Sequence, residues 1–222
     1  MPDLPLFPLN MVLFPGTTIN LHIFEARYKQ MINLCLETQQ PFGVVLIAEG
    51  REAYGPATPH RVGCTAHITQ VHRLSEGRME IRALGRDRFE IQSLRQGQPY
   101  LVGDVTMRPL AEDNPERLTA FAQRLQPWVK KYLQLLARIE NTQLGDYQLP
   151  DDPIHFGYLA AKILQNVPMS QKQALLVSNQ PLMLLSQVQH LYQVEVALLE
   201  MMINRAENSD DLDMNSSSFS LN

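Results

Sequence analysis

The sequence is poor in the residues and motifs that would assign it a chemistry at once. Its 222 residues include only two cysteines, Cys35 and Cys64, too few for a disulfide framework or a four-thiolate zinc site. Charged residues make up 19% of the chain and the net charge is −4, which disfavours a globally basic nucleic-acid binder. The uncharged apolar run over residues 42–48 is far shorter than the ~20 residues of a membrane helix. We therefore expect a cytoplasmic protein that does not span a membrane.

Motifs for nucleotide hydrolysis and for hydrolytic catalysis are absent as well. The chain has no G-x-x-x-x-G-K-[ST] loop, no G-x-S-x-G elbow and no H-E-x-x-H helix, although the corresponding reactions require these groups. Cys64, His67 and His72 come closest to a nucleophile–base set, but their spacing on a strand keeps them apart. No histidines have the spacing of a dedicated metal site. We therefore expect no catalytic residue, no cofactor and no metal.

What is present divides into a strand-rich first half and a helical second half. Up to residue 107, short apolar or alternating segments predict strands, including a hairpin with its turn at residues 74–78. One early helix is predicted over residues 25–37, where apolar side chains recur at three- and four-residue steps. We therefore predict a curled sheet or small barrel with one early helix.

The pattern becomes helical after Arg108-Pro109. Four helix starts are predicted, each by a cap residue, a proline or a capping box: residues 113–116, 152–153, 170–173 and 181. Pro127 lies inside the first of these helices and predicts a bend there.

The change in pattern predicts three parts of the chain. These are a β-rich subdomain over residues 1–110, a helical subdomain over residues 111–207 and a polar tail over residues 208–222. The tail consists largely of Asp, Asn and Ser, a composition that favours disorder.

Three segments near the N-terminus carry a resemblance to a known family. They are residues 4–9 (LPLFPL), 13–16 (LFPG) and 21–28 (LHIFEARY), followed by Met31. Their order and spacing closely resemble the N-terminal substrate-binding domain of the ATP-dependent Lon proteases. The resemblance continues in further segments of both halves: residues 42–45, 62–66, 152–153, 159–160 and 173–176. The family commonly has a proline where this chain has Ala26, and often an apolar residue near Asn20.

The resemblance implies an α+β fold: a PUA-like β pseudo-barrel with one early helix, followed by a C-terminal α-helical bundle. It implies a non-catalytic, stand-alone domain that binds unfolded or hydrophobic polypeptide segments, without the ATPase and peptidase modules of the full-length proteases. Such a domain is expected to act as a proteolysis adaptor or chaperone-like factor, with a protease or chaperone as a further partner. The apolar residues of the motif are expected in the core: Phe7, Phe14, Leu21, Ile23 and Phe24. The oligomeric state is left open by the sequence.

Two binding surfaces are candidates. The candidate residues for polypeptide binding are Tyr54 and Trp128. Tyr54 is in a loop rich in glycine, proline and aromatic residues, and Trp128 is expected in a cleft between strands and helices. The PUA likeness keeps RNA binding as an alternative, through Arg82 and Arg86 in a run of arginines on the predicted hairpin. Acidic residues interleave with this run, as is typical of a solvated face with cross-strand pairs. We therefore expect polypeptide rather than nucleic acid as the ligand.

Overall fold

The computed structural model describes residues 3–50, 57–95, 97–143, 145 and 148–217. The strands in these ranges are β1 (Asp3–Leu9), β2 (Thr18–Ile23), β3 (Phe42–Gly50), β4 (Ala57–Pro59), β5 (Val62–Arg73), β6 (Met79–Arg95) and β7 (Leu101–Met107). The helices are α1 (Ala26–Thr38), α2 (Pro115–Ile139), α3 (Pro153–Ile163), α4 (Met169–Val177) and α5 (Pro181–Ser217). The early helix α1 and the later change from strands to helices are where the sequence predicts them.

The strands form one mainly antiparallel sheet. Its order is β1-β7-β6-β5-β3-β4, with β2 beside β6. Only the pairing between β1 and β3 is parallel among those described. Because β1 pairs with both β7 and β3, it connects two distant parts of this order. The finer description as a PUA-like pseudo-barrel stays a prediction.

The predicted hairpin is confirmed as β5 and β6, joined through a single 3-10 turn at Ser75–Gly77. Gly77 has a φ of 66°, which glycine adopts without a steric penalty. On β6, alternate side chains face the core because successive residues of a strand point to opposite sides. Met79, Ile81 and Ala83 are buried accordingly.

Helix α1 covers one side of this sheet. Its buried residues Tyr28, Met31, Ile32 and Cys35 share a core with apolar side chains of the strands. Phe7 stacks on Tyr28 with ring centroids 4.0 Å apart. This core follows from the apolar stripe of α1, which must be buried against another element.

Most of the motif residues expected in the core lie there. Phe7, Phe14 and Ile23 are buried, and Leu21 is half-buried. Phe24 is 44% exposed, so the prediction is wrong at this residue. Its side chain follows the end of β2 and stacks on exposed His22, with ring centroids 5.9 Å apart.

Helices α2 to α5 enclose another core. Tyr132 of α2 and Tyr192 of α5 meet edge to face with centroids 5.3 Å apart, and the Tyr192 hydroxyl donates to the Ala160 carbonyl oxygen at 2.9 Å. Side chains from the strand-rich half, Phe14 and Val62 among them, also belong to this core. This core therefore contains side chains from both sides of the predicted subdomain boundary. The division into subdomains stays a prediction.

The helix starts show which local signals hold. Asn114 caps α2 by accepting from the backbone N–H groups of Glu116 and Arg117 at 2.8 and 3.1 Å. Asp152 caps α3 in the same way. The capping box predicted at Ser170–Gln173 is wrong: α4 begins at Met169 after Pro168, without a side-chain cap. The reason is tertiary, since the Gln173 side chain donates to the Val62 carbonyl oxygen at 2.8 Å.

Three expectations about the helices remain. Helix α2 continues through Pro127, and a bend at this residue stays a prediction. Helix α5 continues through residues 208–217, in the segment for which the sequence predicts disorder, and that disorder also stays a prediction. Within the described ranges, no helix combines the length and apolar character needed to cross a membrane. The cytoplasmic location is a prediction that nothing here tests.

A buried arginine joins the sheet to α4. Arg88 of β6 is 4% exposed, and its guanidinium donates to the carbonyl oxygens of Leu176, at 2.9 Å, and Ser178. It also donates to Oδ1 of Asn179 at 3.3 Å. The last carbonyls of a helix have no partner within the helix. Arg88 thus satisfies the C-terminal end of α4 from the sheet.

We predict that Arg88→Leu lowers the free energy of unfolding by about 3 kcal/mol, because it removes the donor from the carbonyl oxygens of buried Leu176 and half-buried Ser178. Urea denaturation monitored by circular dichroism measures the change. Arg86→Leu is the matched control, since Arg86 is on the same strand but exposed, and it should change stability by less than about 0.5 kcal/mol. Equal losses in the two variants would contradict the role assigned to Arg88.

We also predict that Gly63→Ala destabilises the fold by about 2 kcal/mol through overpacking. A Cβ atom at Gly63 would lie 2.5 Å from the backbone oxygen of Val44 and 2.6 Å from side-chain atoms of Phe89 and Val45. Gly145→Ala is the control, because nothing lies within 4 Å of its added Cβ atom. Thermal melting of both variants tests this, and an unchanged melting temperature for Gly63→Ala would refute the close approach of β3 and β5.

Candidate functional site

Helices α4 and α5 leave an open groove between them. Its volume is about 530 Å³. The apolar lining consists of Val167, Pro168, Ala174, Leu175, Leu191 and Val194, and the polar lining of Gln171, Ser186, Gln187, His190 and Glu195. Apolar walls with a few polar groups are typical of a site that binds through buried area and is oriented by a few hydrogen bonds.

The groove follows from the lengths and faces of the two helices. Helix α4 has nine residues whereas α5 has 37, so α4 can cover only a short part of α5. One face of α5 enters the helical core through residues at three- and four-residue steps: Leu184, Leu185, Val188, Tyr192, Val196 and Leu199. The apolar surface of α5 is wider than this core requires, and the remainder is left open.

The open remainder is a stripe of apolar side chains, Val194, Leu198, Met201 and Met202, here named the α5 stripe. These residues are 44%, 48%, 67% and 63% exposed, respectively. Val194 also lines the groove, so the stripe begins in the groove and extends along α5. Contiguous exposed apolar surface marks interaction sites, and flexible methionine side chains adapt to differently shaped ligands.

A polar side chain of the groove lining lacks a hydrogen-bond partner for its oxygen among the described residues. The side-chain oxygen Oε1 of Gln187 is buried and has no hydrogen-bond partner in the described part of the chain. Glu195, also in the lining, accepts from Asn166 at 3.4 Å. A buried acceptor without a donor is costly, so a rotation of the Gln187 side chain that turns Oε1 toward the groove would allow it to accept from an N–H group of a ligand.

A differently built surface lies on the side of β2, β6 and β5 that faces away from α1, here named the outer sheet face. A concavity of about 590 Å³ opens on it. The strand register places His22, Glu80 and His72 in one row across the three strands. Asn20, Arg82 and Gln70 form the next row, and Arg82 Nε donates to Asn20 Oδ1 at 3.2 Å.

The arginine run of the hairpin does not form one surface. Arg82 and Arg86, the candidates for RNA binding, are exposed, whereas Arg88 is buried against α4. Arg95 at the end of β6 pairs with Asp3 at 2.7 Å. Arg82, Arg86 and Arg88 are separated by even steps along β6, so strict alternation would place them on one side. The irregular register of β5 and β6 between Gly85 and Arg88, together with the contact with α4, instead places Arg88 in the interior.

The aromatic candidates remain untested. Tyr54 lies outside the described residues. Trp128 is half-buried on α2 and packs against the core of the helices, and neither the groove nor the concavity of the outer sheet face includes it in its lining. Binding at Tyr54 and Trp128 stays a prediction. The sequence alone does not distinguish the α5 stripe, because its residues have the helical spacing of ordinary core positions.

The cysteine and histidine residues do not assemble a nucleophile. Cys35 and Cys64 are both buried; burial raises the pKa of Cys35 to about 11 and that of Cys64 further above its ordinary value. A thiol with a raised pKa is a poor nucleophile at neutral pH. His72 lies on the outer sheet face, away from buried Cys64. Among the described residues, no three His, Cys, Asp or Glu side chains are grouped so that they could hold a metal ion.

The sequence matches known proteins over most of its length. The family model of the ATP-dependent protease La (LON) substrate-binding domain matches residues 3–193. The chain is 27% identical over 180 residues to a Lon protease of Anaeromyxobacter dehalogenans, covering 78% of this chain and 21% of that protein. It is 30% identical over 116 residues to a Lon protease of Flavobacterium johnsoniae, covering 51% of this chain and 14% of that protein. The chain thus spans about a fifth or less of the length of these relatives.

The fold also matches solved structures. A Lon N-terminal domain protein from Xanthomonas campestris has a TM-score of 0.62 and 29% identity, covering 85% of this chain and 97% of that one. The N-terminal domain of a Mycobacterium avium complex Lon protease has a TM-score of 0.62, covering 86% of this chain and 98% of that one. At 20% identity, the second match shows the fold alone.

The family match confirms the resemblance seen in the N-terminal motif. It concerns the substrate-binding domain and not the protease domain, which fits a non-catalytic chain. The mainly antiparallel sheet and five helices of the described residues are those of the Lon N-terminal domain fold. This chain belongs to the Lon substrate-binding domain family.

Proposed function

We propose that the chain binds polypeptide segments with apolar side chains, in the groove between α4 and α5 and along the α5 stripe. Membership in a substrate-binding family makes a polypeptide the natural ligand class. The observation that carries the location is the continuity of the groove with four exposed apolar side chains of α5. Unfolded chains expose such apolar segments, and their burial is favourable.

The physical character of this surface suits ligands of varied sequence. Apolar burial is non-directional and roughly proportional to area, so many segments of similar hydrophobicity bind comparably well. Met201 and Met202 can change rotamer to fit different partners. When the Gln187 side chain rotates toward the groove, its unpartnered Oε1 can accept from a backbone N–H, a group that nearly every residue type offers. The site therefore selects exposed apolar polypeptide rather than one motif.

The wider role proposed for this binding is that of a proteolysis adaptor or chaperone-like factor. The relatives reported above are Lon proteases, so binding of unfolded segments fits a step that precedes degradation. A protease or chaperone would then be the second partner. RNA binding through Arg82 and Arg86 has no support from these relatives, and it is not proposed.

We predict that Leu198→Gln combined with Met201→Gln weakens binding of fluorescently labelled, reduced and carboxymethylated casein by about tenfold or more. Each side chain should contribute about 1 kcal/mol at ~25 cal/mol per Å² of apolar surface. Fluorescence anisotropy measures the affinity. Leu94→Gln is the control, because Leu94 of β6 is 44% exposed and Leu198 is 48% exposed, yet Leu94 lies far from α5 in the topology.

The location fails if the double variant binds casein as the unmodified chain does. It also fails if Leu94→Gln weakens binding equally, since the effect would then be general surface hydrophobicity. Loss of binding only in Trp128→Ser or Tyr54→Ser would place the site at the aromatic candidates. The ratio of the affinities of the unmodified chain and the double variant should stay nearly unchanged as salt is raised, because screening acts on charges and not on apolar burial.

We further predict that the purified chain hydrolyses neither ATP nor casein. The sequence has no phosphate-binding loop, and its thiols are buried with raised pKa values. Phosphate release and casein fragmentation are the measurements, with Cys64→Ala as the comparison. Turnover that co-purifies with the chain and disappears in this variant would refute the non-catalytic assignment.

A further inference from the structure

The outer sheet face has a basic end. Arg82 lines the concavity of this face, and Arg86 is exposed further along β6. Lys162 of α3 donates to the carbonyl oxygen of Thr18, the first residue of β2, at 2.7 Å. Of these cations, Arg82 lines the concavity, Lys162 is near enough to Arg82 for their charges to interact, and Arg86 lies further along the same strand.

These cations are close enough to influence the neighbouring groups. The pKa of Lys162 is lowered mainly by burial and further by the positive charge of Arg82. The pKa of His67 is lowered mainly by burial and further by the positive charge of Arg86. The negative charge of Asp87 partly opposes this decrease. The repulsion between neighbouring positive charges is relieved when an anion binds between them.

One acidic group lies to one side of this basic end and another lies within it. Glu80 is in the row with His22 and His72, one row beyond Arg82 and away from Arg86 along β6. Asp87 is next to Arg86, where its backbone N–H donates to the hydroxyl of Thr65 at 2.9 Å. Glu80 therefore makes the face less basic on the side of Arg82 away from Arg86, and this difference gives a ligand a preferred direction on the face.

We propose that the outer sheet face docks an acidic polypeptide segment in extended conformation, with its carboxylates at Arg82, Arg86 and Lys162. An extended chain presents alternate side chains on one side at intervals of ~7 Å, which matches the spacing of alternate residues along β6, the strand that carries Arg82 and Arg86. Along β2, one edge pairs with β6, and no described strand pairs with the other. That edge gives an extended peptide a place to continue the sheet.

The residues of this face favour a peptide over RNA. Proteins that bind single-stranded nucleic acid combine cations with aromatic platforms for the bases, and the lining of the concavity includes no Phe, Tyr or Trp. Glu80 lies within the lining and would repel a phosphate backbone, whereas a peptide can place a neutral or basic side chain there. This inference concerns a surface other than the groove of α4 and α5 and is independent of the proposed function.

The test is fluorescence anisotropy of the full chain with three labelled probes at low salt. They are a peptide of alternating Glu and Thr, the same peptide with Gln for Glu, and a single-stranded RNA oligonucleotide of matched charge. We expect the acidic peptide to bind, and the Gln peptide to bind about tenfold more weakly or not at all. Arg82→Gln with Arg86→Gln should weaken the acidic peptide about tenfold, and a rise in salt should weaken it further.

Lys130→Gln is the matched control, since it removes one positive charge from an exposed position of α2 and should leave binding unchanged. Arg86→Gln alone keeps the test valid if the change at Arg82, which contacts Asn20, perturbs the sheet. Equal binding of the two peptides, or an equal loss in Lys130→Gln, overturns the proposal. Tighter binding of the RNA that is lost with Arg82 and Arg86 overturns it in favour of a nucleic-acid ligand. Loss of casein binding in the α5 variants should not affect the acidic peptide.

Discussion

The desolvated guanidinium of Arg88 is the interaction on which the arrangement of sheet and helices depends. It supplies donors to the last carbonyls of α4, and Arg108 adds a bond to the Val177 carbonyl oxygen at 3.3 Å. A buried arginine is costly unless its donors are used, and the unpaired end of a helix is costly unless its carbonyls are used. Each group therefore satisfies the hydrogen-bonding requirement of the other, and α4 is held against β6 by Arg88, which lies 88 positions before Leu176 in the chain.

The two ligand surfaces use different physics. The groove and the α5 stripe offer apolar area, which favours any unfolded segment and is insensitive to salt. The outer sheet face offers ordered rows of polar and charged side chains, which favour one charge pattern and weaken as salt is added. Because one lies on the helices and the other on the strands, a single unfolded chain with an acidic region beside an apolar one could engage both. Linked binding of that kind raises the overall affinity without any new contact.

Local signals predicted the parts of the fold that depend on neighbouring residues. The β5–β6 hairpin, the Asp152 cap and the stripe of α1 were recognisable because each is set within a few residues. Phe24, the absent cap at Ser170 and the burial of Arg88 were not, because each depends on a partner far away in the sequence. At the candidate site, an apolar residue at helical spacing has the same pattern whether it is covered or open. Only the short length of α4 leaves Leu198 and its neighbours exposed.

The attachment of α4 explains why a binding groove can exist at its boundary with α5. Gln173 fastens one side of α4 to the Val62 carbonyl oxygen, and Arg88 fastens its C-terminal end. Helix α5 instead packs in the helical core, where Tyr192 meets Tyr132. The groove thus lies between a helix held by polar bonds to the sheet and a helix held by apolar packing. Its lining can adapt through apolar side chains while the hydrogen bonds of Gln173 and Arg88 hold α4 on the sheet, which suits a site for segments of varied shape.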